Sequence, residues 1–165
     1  MKNTKIFKKG FTLLELLVVV AIIGLLTTVV IAALNNARNK GGDAGVKTNL
    51  KNAIPQGEIY YGTNTAYPNS YTNVCSLGSV GGVAAIGSFV QAAAKANGYT
   101  YTATVGTDKR VVGSTAKATC NEMAIGWAAE VPLKSVSGQV WCVDNTGKAI
   151  QTSNVFSSSL DVICN

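Results

Sequence analysis

From Phe11 to Leu34 the chain is apolar with few interruptions, and Glu15 is the only charged residue in the run. At about 1.5 Å per helical residue, a run of this length reaches roughly 36 Å, enough to cross the hydrocarbon core of a bilayer. Lys2, Lys5, Lys8 and Lys9 precede it and would hold that end in the cytoplasm, so the chain beyond Leu34 faces outward. From Asn35 the pattern turns polar. Gly41, Gly42 and Gly45 are expected to weaken or kink a continuing helix. Val46, Leu50, Ala53 or Ile54, and Tyr60 or Tyr61 then restore helical spacing on one side, a stripe able to hold a sheet. Pro55 argues for a kink or an end within that stretch.

Further along, Ala84, Ala85, Ile86, Phe89, Val90, Ala93 and Ala94 predict a second, short helix within Ser79 to Gly98, with Gly98 as its stop. The Thr-, Val- and Tyr-rich remainder reads as strands at Tyr99 to Val105, within Ala116 to Val131, at Gln139 to Val143 and at Lys148 to Thr152. Asp144-Asn145-Thr146-Gly147 has the residues of a tight hairpin, and Pro132 to Gly138 makes a second connection, so three strands form an antiparallel meander. The fold class is therefore α+β, a long N-terminal hydrophobic helix packed onto a small antiparallel sheet. Its divisions are a leader at 1–10, a membrane helix at 11–34, an amphipathic continuation at 35–61 and a globular part at 62–165.

The formal charge of +6 looks at first like a nucleic-acid signal. Four of the basic residues lie before the apolar run, and without residues 1–10 the balance is 10 basic against 8 acidic side chains. No cluster of Lys and Arg along the sequence tracks phosphates, so no specific nucleic-acid partner is predicted. The four cysteines, Cys75, Cys120, Cys142 and Cys164, are widely spaced, and the chain has no histidine. Two disulfides in an oxidising, extracytoplasmic compartment explain them better than a zinc site. Three pairings are open to four cysteines; the reading leans to Cys75 with Cys120 and Cys142 with Cys164.

A secretory signal peptide also has a basic start and an apolar core, but here the apolar run is longer and no small-x-small pattern closes it cleanly, Ile31-Ala32-Ala33 coming nearest. The small residue stands at the front instead, where Gly10 separates Lys9 from Phe11. A peptidase at the cytoplasmic face could cut there and leave the whole helix on its product. Glu15 would then sit one helical turn from the new amine of Phe11. At a helix centre an acid costs about 2.5–3.5 kcal/mol on insertion scales, and near an end it costs less but still needs a reason, either snorkelling to the headgroups or a partner. In a parallel bundle the amine of one chain can neutralise the carboxylate of another, selecting one register of packing.

The stretch Lys9-Gly10-Phe11-Thr12-Leu13-Leu14-Glu15-Leu16-Leu17-Val18-Val19-Val20-Ala21-Ile22-Ile23-Gly24 resembles the type III signal of type IV prepilins and of type II secretion pseudopilins. The resemblance implies cleavage after Gly10 by a prepilin peptidase, methylation of Phe11, and docking of subunits through Glu15. It implies a homopolymer, processed in the inner membrane and raised by an assembly platform and motor into a surface filament of the kind used in adhesion or motility. The alternative is a pseudopilin serving secretion or DNA uptake. Ile59 to Pro68 likewise resembles the point where a pilin stem helix gives way to a loop. Many members of that family have a proline within the hydrophobic helix, whereas here the first proline is Pro55. The β-branched run Thr27-Thr28-Val29-Val30-Ile31, after Gly24, is the expected place for the helix to loosen when a subunit leaves lipid for a filament.

Other chemistry finds little support. Without histidine a Ser-His-Asp or Cys-His system is excluded, so no enzyme and no cofactor are expected. Asp144 and Asp161, with turn carbonyls, resemble the calcium site of some secretion pseudopilins, but calcium takes six to eight oxygens and no metal is predicted. Trp127 and Trp141 lie in apolar strand patterns and are expected in the core or on a sheet face rather than on a sugar platform. The pairs Gly41-Gly42 and Gly81-Gly82 lack the Lys-Ser/Thr of a phosphate loop.

Overall fold

The computed structural model describes residues 10–101, 115–157 and 162–165. The chain divides into two compact units, Met1–Ala37 and Arg38–Asn165, and one helix, α1 (Leu13–Thr63), contributes to both. In the first unit α1 is apolar on every side, and its two internal hydroxyls turn back on the helix. Thr27 Oγ1 donates to the Ile23 carbonyl at 2.7 Å and Thr28 Oγ1 to that of Leu25 at 2.8 Å. Both are thereby satisfied without water, as a lipid environment requires. The helix is unbroken from Gly24 to Leu34 in the single chain.

In the second unit α1 buries Asp43, Val46, Leu50, Ala53, Gly57 and Tyr60, a strict alternation of three and four residues that keeps one face inward. The helix is not interrupted at Gly41 to Gly45, where two of these glycines are used for close approach. A Cβ on Gly42 would stand 2.9 Å from the Ala96 carbonyl oxygen, and one on Gly45 3.0 Å from the Ala96 methyl. Nor does Pro55 end the helix. It lies inside α1 on an exposed face, where a carbonyl deprived of its N–H partner can be hydrated. The helix stops at Thr63, and the loop that follows begins with Asn64, whose Oδ1 accepts the N–H groups of Ala66 and Tyr67.

The predicted second helix is shorter than its periodicity suggested. Gly81 and Gly82, at φ 57° and 80°, turn the chain between β1 (Ser79–Val80) and β2 (Val83–Ala84), and only then does α2 (Gly87–Ala96) begin. An apolar spacing that fits a helix was thus overridden by two residues that accept a left-handed backbone. Of the strand expected from Tyr99, residues 102–105 lie outside the described ones, and Tyr101 forms a single parallel bridge to Ala118.

The main sheet is antiparallel in the order β3 (Thr119–Met123), β4 (Gly126–Pro132), β5 (Val140–Asp144), β6 (Ala149–Thr152), one strand more than the predicted meander. In its register Cys120 faces Ala129, Ala129 faces Val143 and Val143 faces Ala149. This row, with Trp127 and Val131, packs against the inner face of α1 and the residues of α2. Gly57 is what lets Trp127 approach the helix so closely there, since a Cβ at that position would come within 2.6 Å of the indole nitrogen. On the opposite face Ala128, Cys142 and Ile150 pack against Phe156 and Cys164. Both faces of β4 are therefore covered, which is why every one of its residues is buried.

Carboxylates tie the loops to this frame. Asp43, 4 % exposed, accepts from Asn97 Nδ2 at 2.6 Å, from the N–H groups of Lys134 and Ser135 at 2.8 and 2.9 Å, and from the Ser135 hydroxyl. Burial pushes its carboxyl up, but the hydrogen bonds from Ser135, Asn97 and the two amides outweigh that and hold it below the ordinary aspartate value. Glu122 accepts the N–H groups of Asn73 and Cys75 at 2.7 and 2.6 Å. Tyr60 donates to the Thr72 carbonyl at 2.6 Å, and burial together with the nearby Glu122 charge raises its hydroxyl to about 12.

Candidate assembly site at the head of the long helix

Gly10 and Phe11 are exposed ahead of α1, with Phe11 at 88 %. Thr12 caps the helix. Its Oγ1 accepts the Glu15 N–H at 3.2 Å, and Glu15 Oε2 accepts the Thr12 N–H at 2.8 Å and the Thr12 hydroxyl at 2.9 Å. This is a reciprocal capping box, which satisfies amides that the first helical turn leaves without partners. Its signal, Thr-x-x-Glu before an apolar run, is present in the sequence, although the sequence reading singled out Glu15 and passed over Thr12. Among the described residues Glu15 Oε1 has no partner, so the carboxylate is anchored through one oxygen and has the other available.

Behind this head lies a continuous apolar surface. The large apolar side chains from Leu13 to Leu34 are exposed all round the helix, none of them less than 45 %. Soluble monomers seldom expose contiguous apolar patches of more than a few hundred Å². Lipid or other copies of the same helix would cover this one. Among the described residues α1 is the one helix long and apolar enough to cross a membrane.

The cysteines fall in the second unit. Cys75 is bonded to Cys120, with Cα atoms 5.8 Å apart, and joins the loop after α1 to edge strand β3. Cys142 is bonded to Cys164, also at 5.8 Å, and joins β5 to the C-terminal segment. That segment is held further by the Cys164 N–H, which donates to Asp144 Oδ2 at 2.9 Å, and by the Phe156 N–H, which donates to Glu130 Oε2 at 3.1 Å. The calcium reading loses its first ligand here. Both Asp144 oxygens are occupied, Oδ1 by the N–H groups of Thr146 and Lys148 and by the Thr146 hydroxyl. Asp161 lies outside the described residues, and among those described no group of acidic, Cys or His side chains is arranged to hold a metal. Trp127 is fully buried and Trp141 half-buried, both on the face toward α1.

Residues 7–31 match the family described as the prokaryotic N-terminal methylation motif. The chain is also similar to the type IV wide pilus major component of Thermus thermophilus, 41 % identical over 70 residues, which is 42 % of this chain and 53 % of that protein. It thus spans about half the length of the relative it matches. No solved structure matches the chain. The methylation motif and the 70-residue similarity to a type IV pilus component, beside the long apolar helix capped by Thr12 and Glu15 and the antiparallel sheet, make the chain similar to type IV pilins.

Proposed function

We propose that this protein is a structural subunit of a type IV pilus-like surface filament, not an enzyme. A prepilin peptidase cuts after Gly10, Phe11 becomes the methylated N-terminus, and the subunit waits in the inner membrane with its second unit outside until an assembly platform and motor add it to the polymer. The observation that supports this most is the head of α1, where a carboxylate is held in place by Thr12 with one oxygen to spare, ahead of an apolar surface with nothing over it. When helices pack in parallel, the ammonium of Phe11 in one subunit meets Glu15 of its neighbour. Pairing relieves both buried charges at once, so the register in which they meet is favoured over registers that leave them apart. The two disulfides suit an extracytoplasmic destination.

The test is intact-mass analysis of sheared surface material and of membranes, from wild type and from a Glu15→Ala strain. Wild-type filaments are expected to contain a chain that begins at methylated Phe11, and the variant to be processed but confined to membranes. A mature protein that begins after Ala33, or retains residues 1–10, would overturn the proposal.

A further inference from the structure

Asn97-Gly98 is the one Asn-Gly pair in the chain. Asparagine is thermolabile, and most so before glycine, where no side chain shields the next amide nitrogen from attacking the asparagine side-chain carbonyl. The fold nevertheless uses both residues here. The helix α2 ends in a Schellman motif, in which the Gly98 N–H donates to the Lys95 carbonyl at 3.0 Å and the Tyr99 N–H to that of Ala94 at 2.9 Å. Gly98 stands at φ 66°, a left-handed position that glycine accepts without strain. Asn97, 2 % exposed, joins three elements. Its Nδ2 donates to Asp43 Oδ1 of α1 at 2.6 Å and to the carbonyl of Pro132, at the end of β4, at 3.1 Å. Its Oδ1 is buried against Gly42 and has no hydrogen-bond partner among the described residues.

The same geometry blocks the reaction to which the pair is prone. Closing a succinimide ring needs Cβ of Asn97 and the nitrogen of Gly98 to eclipse one another about the Cα–C bond. At ψ 9° it is the backbone nitrogen of Asn97 that eclipses the Gly98 nitrogen instead, so the side chain is turned away from its attacker. That nitrogen is also engaged with Lys95, and the side-chain amide with Asp43 and Pro132. The ring cannot close until the cap unwinds.

We propose that Asn97 is a self-modification site gated by the fold: it deamidates when the cap of α2 is open, and the product cannot rebuild the junction with Asp43. In the open chain the Gly98 nitrogen forms a bond to Asn97 Cγ, the Cγ–Nδ2 bond breaks, and the Gly98 amide proton leaves with Nδ2 as ammonia. Water then opens the succinimide at either carbonyl, giving aspartate or isoaspartate. Aspartate sets acceptor against acceptor at both Asp43 and the Pro132 carbonyl, where a donor had joined them. Isoaspartate also adds a methylene to the backbone, within the turn that the Schellman bonds close. A chain that lingers unfolded is thereby retired, while one that stays folded keeps its amide.

The test follows full-length protein by peptide mapping over time, in non-ionic detergent and in guanidinium chloride, with disulfides intact and at one mildly alkaline pH. Asn97 should be the first asparagine to gain the mass of NH2 exchanged for OH. It should do so at least about tenfold faster in denaturant than in detergent, because opening of the cap in the native protein is a minority event. Deamidated chain returned to detergent should unfold at a lower urea midpoint than unmodified chain, read by tryptophan fluorescence, and Asn97→Asp should reproduce that loss. Gly98→Ala, whose methyl shields the nitrogen, should slow the reaction in denaturant, where its effect on folding does not enter. Equal rates in the folded and unfolded chain would overturn the proposal. So would an earlier site elsewhere, an unchanged rate in Gly98→Ala, or a deamidated chain with the midpoint of the unmodified one.

Discussion

Glu15 and Asp43 are carboxylates on the same helix, and they have opposite surroundings. Glu15 is exposed and bonded only to Thr12, three residues away. Asp43 is buried and bonded to groups 54 to 92 residues distant in sequence. An acid satisfied by its own helical turn stabilises that turn and leaves the rest of the fold untouched, so it can be given to a neighbour. An acid satisfied by α2 and the β4–β5 loop is committed to one folded unit. The same contrast extends to the apolar residues: in the first unit nothing covers them, and in the second they meet Trp127, Ala129 and Val131.

If that contrast is right, Glu15→Ala has the largest effect and shows it in one place only. Surface filaments should disappear from sheared material, while unfolding of the second unit, followed in detergent by the fluorescence of Trp127 and Trp141, is unchanged. A shifted unfolding curve would show that the first unit is less independent than the contrast requires. Replacing Cys75 and Cys120 together by serine should act on the second unit alone. Opening a link that spans 45 residues costs about 4 kcal/mol on the chain-entropy account, read as a lower urea midpoint.

Asp43→Ala should cost about 3 kcal/mol by the same measurement, since it leaves the amides of Lys134 and Ser135 and the Asn97 side chain without their acceptor. Its pH dependence sharpens the point. The folded carboxyl titrates below its unfolded value, so its contribution is present above the unfolded pKa and disappears as pH falls through the folded one. Wild type should therefore lose stability on acidification through the carboxylate range more steeply than Asp43→Asn, and equal slopes would show that other groups dominate. Gly57→Ala should have the smallest effect, about 1–3 kcal/mol, because the new methyl would press on the Trp127 ring and either the indole or the helix must shift. Wild-type stability in that variant would mean that the packing of α1 on the sheet is looser than the distances indicate.

Much of the candidate site was legible in the residues themselves. The apolar run, the position of Gly10 and the isolated acid at Glu15 are local features, and local features survive without knowledge of the fold. The cap was equally local, because Thr12 and Glu15 stand three apart, yet it takes hydrogen-bond accounting at the helix start to see it. The inner stripe of α1 from Val46 to Tyr60 was also readable, as was the turn at Asp144 to Gly147, where Gly147 adopts φ 85°.

What sequence pattern could not decide depends on what lies across the fold. Gly41, Gly42 and Gly45 look like helix breakers on propensity, but tertiary packing outweighs a penalty of about 1 kcal/mol per glycine when two of them give α2 room to approach. Gly81 and Gly82 decide the reverse case, since a turn geometry open to glycine interrupts an apolar spacing that fits a helix. The charge of the surface is the furthest from legible. Composition counts acids and bases alike, whereas the folded chain turns Asp43, Glu130 and Asp144 inward as acceptors for its own amides and leaves the lysines in water. The physical reason is that a short carboxylate can satisfy several converging N–H groups inside a domain, while a lysine's long stem lets its ammonium remain hydrated. The sequence by itself therefore determined the N-terminal methylation motif, the membrane-length helix and its single acid, and only the tertiary structure decided which charges face outward.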